Sequence, residues 1–289
     1  MAAPAPRALI IRAPGTNCDG ELARAFTLAG ATADIVHLDA LIADPSAIDR
    51  ADLLGLPGGF SYGDDVASGR IFAMRLRKNL YPALREAVGR GVPVFAVCNG
   101  FQIAVQAGLL PGPAAGQSWP AEPAEQEVSL TYNSGGRFID RWVPVHAVEN
   151  SVCIWTRGLQ DAFRESGDGA GAEAMMLPIA HGEGRLVARD ESVLERLRQN
   201  GQVALRYGAA ARPAGAAVHP ANPNGSSDDI VGICDTSGRV FGLMPHPERY
   251  LDWNRHPFWT RLDPGLRRGD TPGLRMFRNA VDAAVEARV

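Results

Sequence analysis

An apolar run that halts at a cysteine constrains this chain's fold more than any other feature. In Val92-Pro-Val-Phe-Ala-Val-Cys98-Asn-Gly-Phe-Gln102, the stretch from Val92 to Val97 is continuous, β-branched and preceded by Gly91, as a buried central strand requires. Phe101 to Leu110 then reads as a short helix. Cys98 therefore falls on a sharp strand-to-helix turn. A nucleophile there stands clear of its neighbours, and the N–H groups that open the next helix favour the reactive thiolate form. A lone cysteine is more simply a small buried hydrophobe, so this reading depends on what the rest of the chain supplies.

The flanking segments alternate in the same way. Leu9–Ile11, Asp34–Leu38 and Asp52–Leu56 read as strands, and Glu21–Ala29 as a helix introduced by Thr16, Asn17 and Asp19. Between Ser68 and Gly91, Phe72, Leu76, Leu80, Leu84 and Val88 recur every four residues, which predicts a helical face interrupted at Pro82 by a kink or by a break into two helices. This β-α-β-α order predicts a doubly wound, mainly parallel α/β sheet of flavodoxin-like type. Glu127–Thr131 and Arg141–Val148 read as a small antiparallel excursion, Val240–Met244 as another buried strand and Arg275–Ala287 as a final helix. Residues 1–289 are expected to form a single domain with a disordered lead at 1–6. Small-residue segments at 111–126, 164–174, 208–223 and 263–273 are expected as loops or insertions.

Composition narrows the partners. The chain has 289 residues, 46% hydrophobic and 21% charged, with net charge −3, so nothing points to nucleic acid. The longest apolar runs are strand-length, too short for a bilayer, and no leader precedes Leu9, so a cytoplasmic protein is expected. Cys18, Cys98, Cys153 and Cys234 are scattered without a C-x-x-C pair, which indicates neither zinc nor a disulfide framework. Asp64-Asp65 and Asp228-Asp229 have no His or Cys at ligand spacing and read as caps or solvated pairs, so no metal is predicted. Cys18 reads as structural, since no histidine lies near it in sequence.

Pro245-His246-Pro247-Glu248 follows the Val240 strand. Each proline biases the preceding residue toward an extended backbone, where residues i and i+2 share a face. His246 and Glu248 then present an imidazole beside a carboxylate, the pairing that orients a base and supports its charged form. Alone, this is equally a turn with a surface ion pair; with Cys98 it makes a Cys-His-Glu triad. Pro57-Gly58-Gly59 closes the Asp52–Leu56 strand. Its glycines free backbone N–H groups to approach a ligand, so those of Gly59 and Asn99 are candidates for an oxyanion hole. Diglycine by itself is an ordinary tight turn.

Taken together, these motifs resemble class I (triad) glutamine amidotransferases, and more narrowly the glutaminase subunits of phosphoribosylformylglycinamidine synthases of de novo purine synthesis. The narrower likeness rests on Pro14-Gly-Thr-Asn-Cys-Asp19, Gly59-Phe-Ser-Tyr-Gly-Asp-Asp65, Asn133-Ser-Gly-Gly-Arg-Phe138, Pro178-Ile-Ala-His-Gly-Glu-Gly-Arg185 and Asn222-Pro-Asn-Gly-Ser226. It runs from about Arg7 to Arg249 and resumes in the last helix. The sequence departs at Ala96, where the class has glycine, at Gly135, where serine is expected, and in the segment around Arg267-Arg268.

The resemblance implies that Cys98 attacks the side-chain amide of L-glutamine, with His246 and Glu248 completing the triad. It also implies that Gln102, His181, Gly182 and Glu183 line the glutamine pocket. Ammonia would pass to a large ATP-dependent synthetase subunit, with a third small subunit. ATP and magnesium belong to that partner. This chain has no Gly-x-x-x-x-Gly-Lys-Ser/Thr loop, and Gly167–Gly171, with no strand before it, reads as a surface loop. No cofactor is therefore expected here. Alternatives are an amidotransferase serving another acceptor synthetase, more distantly a cysteine peptidase or deglycase, and a non-catalytic glutaminase-like regulator. A regulator would have no need of all three triad side chains.

Overall fold

The computed structural model describes residues 4–163, 170–208 and 221–288. Its first half alternates strand and helix: β1 (Arg7–Arg12), α1 (Asp19–Ala29), β2 (Thr32–His37), α2 (Leu38–Ala43), α3 (Ser46–Asp49), β3 (Leu53–Leu56), α4 (Arg70–Asn79), α5 (Tyr81–Gly89), β4 (Val94–Val97) and α6 (Asn99–Gln106). The second half contains β5 (Val128–Thr131), β6 (Ile139–Ala147), α7 (Leu159–Ala162), α8 (Ala170–Ala174), β7 (Met176–His181), β8 (Arg185–Ala188), α9 (Glu191–Gln199), β9 (Val203–Tyr207), β10 (Ile230–Cys234), β11 (Val240–Leu243) and α10 (Pro272–Glu286).

Nine strands form one sheet in the order β2-β1-β3-β4-β11-β10-β9-β6-β7. The first five run parallel. From β11 onward each neighbour is antiparallel, and β5 pairs with β8 in a separate two-stranded sheet. Because β3, β4 and β11 are adjacent and parallel, the segments leaving their C-terminal ends emerge side by side. Those segments hold Gly58-Gly59, Cys98 and His246, the positions where α/β sheets of this type build sites.

Continuous apolar runs at β3, β4 and β11 are buried at every position, as strands covered on both faces must be. On one face Phe95 meets Trp155 at 4.9 Å and Phe277 at 4.7 Å between ring centroids, and Phe277 meets Phe26 edge-on at 5.3 Å. This aromatic cluster fastens α10 and α1 to the sheet. Each such pair adds about 0.5–1.5 kcal/mol beyond the area it buries. Thr271 starts α10 by accepting the Leu274 N–H at 3.1 Å, a cap worth about 1 kcal/mol. Among the described residues, no helix is long and apolar enough to cross a membrane.

Several expectations are refined. The Ser68–Gly91 pattern resolves into two helices, with Pro82 in the first turn of α5, where a missing N–H costs nothing. The helix after Cys98 starts at once, at Asn99, and stops at Gln106. Residues 111–126 contain neither helix nor strand. Residues 170–174, expected as loop, are helical, and α10 begins inside the expected 263–273 loop, after a single 3-10 turn at Leu266–Arg268. Residues 4–6 are not a loose lead: Pro6 is buried and its carbonyl accepts the Thr32 N–H at 2.8 Å. The expectations for 1–3, for 164–169 with the glycines of Gly167–Gly169, and for 209–220 lie outside the described residues.

Candidate active site

The backbone at Cys98 has φ 52° and ψ −109°, a conformation a side chain adopts only where the surroundings over-determine it. Three contacts do so. The Cys98 N–H donates to the Leu243 carbonyl at 2.8 Å, while its own carbonyl accepts from Phe101 and Gln102 at 3.0 and 3.1 Å. The thiol is buried and points toward the Ala180 carbonyl of β7 at 3.8 Å. Ala96 fits the fully buried strand behind it, so this departure is absorbed by packing. Gly135 is exposed, and a side chain there would meet open space.

His246 and Glu248 share a face, as their two-residue spacing predicts. The Nδ1–Oε1 distance is 2.6 Å, and the side chains are 2% and 0% exposed. His246 is fixed by its own N–H, which donates to Pro178 of β7 at 2.8 Å. Burial works against charge on this imidazole. The Glu248 carboxylate and the sulfurs of Cys98 and Cys18 outweigh it, so the ring holds its proton well above the ordinary histidine range. Gly58 completes the enclosure: a Cβ there would sit 2.8 Å from His246 Cε1 and 3.4 Å from Cys98 Cβ. Nucleophile, base and carboxylate are thus brought together from two adjacent strand ends, those of β4 and β11.

The loops that carry the two candidate oxyanion donors are held against each other. Asn99 opens α6, so its N–H is one of those a helix leaves without an internal partner. Gly59 has φ +135°, and a Cβ there would strike the Asn17 nitrogen and lie 2.9 Å from the Gly15 carbonyl oxygen. The Asn99 side chain ties both loops together. Its Oδ1 accepts from Ser61 Oγ at 2.6 Å, and its Nδ2 donates to Gln102 Oε1 at 2.9 Å and Asp64 Oδ1 at 3.1 Å. Asp64 is therefore a loop tie, while Asp228 pairs with Arg198 and Arg206.

The expected pocket residues fall into different roles. Gln102 is buried and donates to the Glu183 carbonyl at 2.6 Å, so it braces the 181–184 turn. Gly182 accepts the Asn133 N–H through its carbonyl at 2.9 Å. His181 is buried, and its Nδ1 lies 3.0 Å from Asn133 Oδ1. That oxygen also accepts the Gly184 N–H at 3.1 Å, while Asn133 Nδ2 donates to the carbonyls of Arg137 and His181. Asn133 therefore presents an acceptor to the ring, so Nδ1 carries the hydrogen and Nε2 a lone pair. Burial, then the charge of His246, lowers the His181 pKa to about 4, so the ring is neutral. Its Nε2 is buried with no partner among the described residues.

Asn133 and Asn222-Pro-Asn-Gly-Ser226 stand out in the sequence without a predictable role. In the structure they are scaffolding for the 181–184 turn. Asn224 Nδ2 donates to the Gly184 carbonyl at 2.8 Å, and Asn222 Oδ1 gathers the N–H groups of Asn224, Gly225 and Ser226. Their signal was an unusual density of Asn and Gly, the residues that cap their own backbone. Cys18, expected to be structural, is buried beside the triad, its Sγ lying within 4.8 Å of the ligand atoms of His246 and Glu248. Histidine and cysteine are 228 residues apart in sequence, so only the fold pairs them. Arg249 Nη2 donates to this sulfur at 3.0 Å, which makes the cluster a hydrogen-bonded network rather than a cation cage.

An enclosed thiol and a charge-supported imidazole at one sheet edge, with two candidate backbone donors on adjoining loops, suit a thioester-forming hydrolase. The chain belongs to the CobB/CobQ-like glutamine amidotransferase domain family, whose model matches residues 5–282. Among its relatives, the phosphoribosylformylglycinamidine synthase subunit PurQ of Dehalococcoides mccartyi is 38% identical over 276 residues, covering 95% of this chain and 96% of that one. The same subunit of Treponema denticola is 41% identical over 250 residues, covering 84% and 87%. The structure is similar to a chain of PurLQS from Thermotoga maritima, with a TM-score of 0.63 at 31% identity, covering 96% and 99%.

Proposed function

We infer that this chain is the glutaminase subunit of a phosphoribosylformylglycinamidine synthase. It hydrolyses L-glutamine to glutamate and ammonia and hands the ammonia to an ATP-dependent synthetase subunit, PurL, assembled with a small third subunit, PurS. The relatives' shared identity and the PurLQS structure support the partners. The observation that carries the chemistry is the buried Glu248–His246 pair set against Cys98.

The reaction follows from these positions. The Cys98 thiolate attacks the amide carbon of glutamine, and the oxygen of the tetrahedral adduct takes the N–H groups of Gly59 and Asn99. His246, charged by the thiol's proton, delivers it to the departing nitrogen, and ammonia leaves. Glu248 carries the countercharge throughout. Water, deprotonated by His246, then cleaves the glutamyl thioester. The 181–184 turn and Gln102 border the glutamine pocket. Ammonia released into bulk water at neutral pH would largely protonate and lose its nucleophilicity, so direct transfer to the partner fits the chemistry. ATP and magnesium serve that partner, this chain carries no cofactor of its own, and the complex operates in the cytoplasm.

Glutamate release measured with and without the synthetase, its nucleotide substrate and MgATP tests this reading. Release that rises several-fold with the synthetase supports it. Release indifferent to that synthetase would keep the glutaminase and reassign its acceptor. A Gly59→Ala variant tests the oxyanion site separately. Its Cβ must push the donor aside, so kcat is expected to fall about 10²–10³-fold with a smaller change in KM. Wild-type turnover by that variant would remove Gly59 from the site.

A further inference from the structure

The buried thiol that the mechanism leaves unused lies away from the strand-to-helix elbow, yet its sulfur is within 4.8 Å of a ring nitrogen of the base. Cys18 lies in the loop that follows β1 and immediately precedes α1. Its N–H donates to the Gly58 carbonyl at 3.2 Å. A Cβ on Gly58 would meet the Cys18 sulfur at 3.3 Å as well as the His246 ring. The sulfur accepts from Arg249 Nη2 at 3.0 Å, and Arg249 Nε is 3.5 Å from Glu21 Oε1 of α1. A line of contacts therefore runs from Glu21 through Arg249 to Cys18 and ends on His246.

We propose that Cys18, oriented by Arg249, is a positioning residue for the reaction: it supplies His246 with a second sulfur that supports the imidazolium while Cys98 is engaged with substrate. The proposal rests on the glutaminase reading for its purpose but not for its geometry. Its logic is one of timing. When Cys98 becomes a thioester, His246 loses the negative sulfur that paired with its charge. It must nevertheless hold a proton long enough to release ammonia. Glu248 supplies one partner, and Cys18, whose sulfur takes no part in the covalent steps, supplies another. Arg249 fixes that sulfur by an N–H bond and meets the Glu248 carboxylate electrostatically, so both supports of the imidazole are tied to one guanidinium.

The groups facing His246 are Glu248 on its own segment, Cys98 from the β4–α6 elbow, Cys18 from the β1–α1 loop and His181 at the end of β7. Cys98 and Glu248 remain in a Cys18→Ala variant, and neutral His181 contributes no charge. Removing the Cys18 sulfur therefore weakens only one support of the imidazolium. The ring then gives up its proton at lower pH.

The test follows alkylation of Cys98 by iodoacetamide across pH, read by mass spectrometry on the Cys98 peptide so that reaction at the other cysteines does not interfere. The upper step of that profile marks loss of the imidazolium proton of His246. In Cys18→Ala this upper step is expected to fall by about one pH unit. The basic limb of the glutaminase profile should fall equally, in kcat rather than KM. Cys18→Ser, which keeps a small acceptor, is expected to recover part of the shift and guards against a folding defect in the alanine variant. Arg249→Lys should reproduce part of the Cys18→Ala shift. An upper step that stays in place in both Cys18 variants would overturn the role of Cys18 alone. A wild-type profile without an upper step would overturn the pairing of Cys98 with His246, and with it the proposed function.

Discussion

Cys98→Ala is expected to lower glutamine hydrolysis by about 10⁴-fold or more, since removing the nucleophile of such a unit abolishes the covalent route and leaves only binding and the oxyanion donors. The loss should appear entirely in turnover. The fold should survive, because the elbow is held by the backbone bonds of residue 98 to Leu243, Phe101 and Gln102, none of which needs the sulfur. Cys18 cannot stand in. It lies in the loop between β1 and α1 with its sulfur held by Arg249. Glutamate release and unfolding temperature measured on the same preparation decide the matter. Turnover within 100-fold of wild type in a folded variant would place the nucleophile elsewhere.

Glu248→Gln should be nearly as damaging, with kcat falling about 10³–10⁴-fold. The carboxylate is 0% exposed, its Oε1 is bonded to His246 and its Oε2 has no partner among the described residues. Burying a carboxylate with one hydrogen bond is costly unless a positive charge answers it, and here the imidazolium does. A neutral amide of the same shape keeps the packing and removes that answer. The imidazolium then becomes the uncompensated charge, so His246 should lose its proton at lower pH and activity should fail first on the basic side. Rates measured across pH, with KM followed separately, check this. A variant with an unchanged basic limb would show that Glu248 serves only packing.

The parallel half of the sheet was legible because its strands announce themselves. Runs such as Val92–Val97 and Val240–Met244 are apolar at every position, which a strand buried on both faces requires, and turn residues mark their ends. The triad was legible for a related reason: its members follow those strands directly. Of the antiparallel half β6 was legible, as Arg141–Val148, but β7, β9 and β10 were not. Pro178 sits inside β7, where proline argues against a strand. It is tolerated because β7 ends the sheet. The rest of the site is built across long sequence separations: Asn133 to His181, Asn224 to Gly184, Cys18 to His246. Pairings of that kind carry no local period, so residue patterns can mark the participants as unusual but cannot join them.

The bonds at residues 4–6 bear on how the molecule can be handled. Arg288, just beyond α10, donates to the Pro4 carbonyl at 2.6 Å and to Asp52 at 3.0 Å, while the Arg7 N–H reaches the same aspartate at 2.7 Å. Residues 4 and 288 are thus clasped together at the N-terminal edge of the parallel strands, the opposite edge from Cys98. A tether, label or fused domain that follows either of them would start on the side of the sheet away from the catalytic elbow.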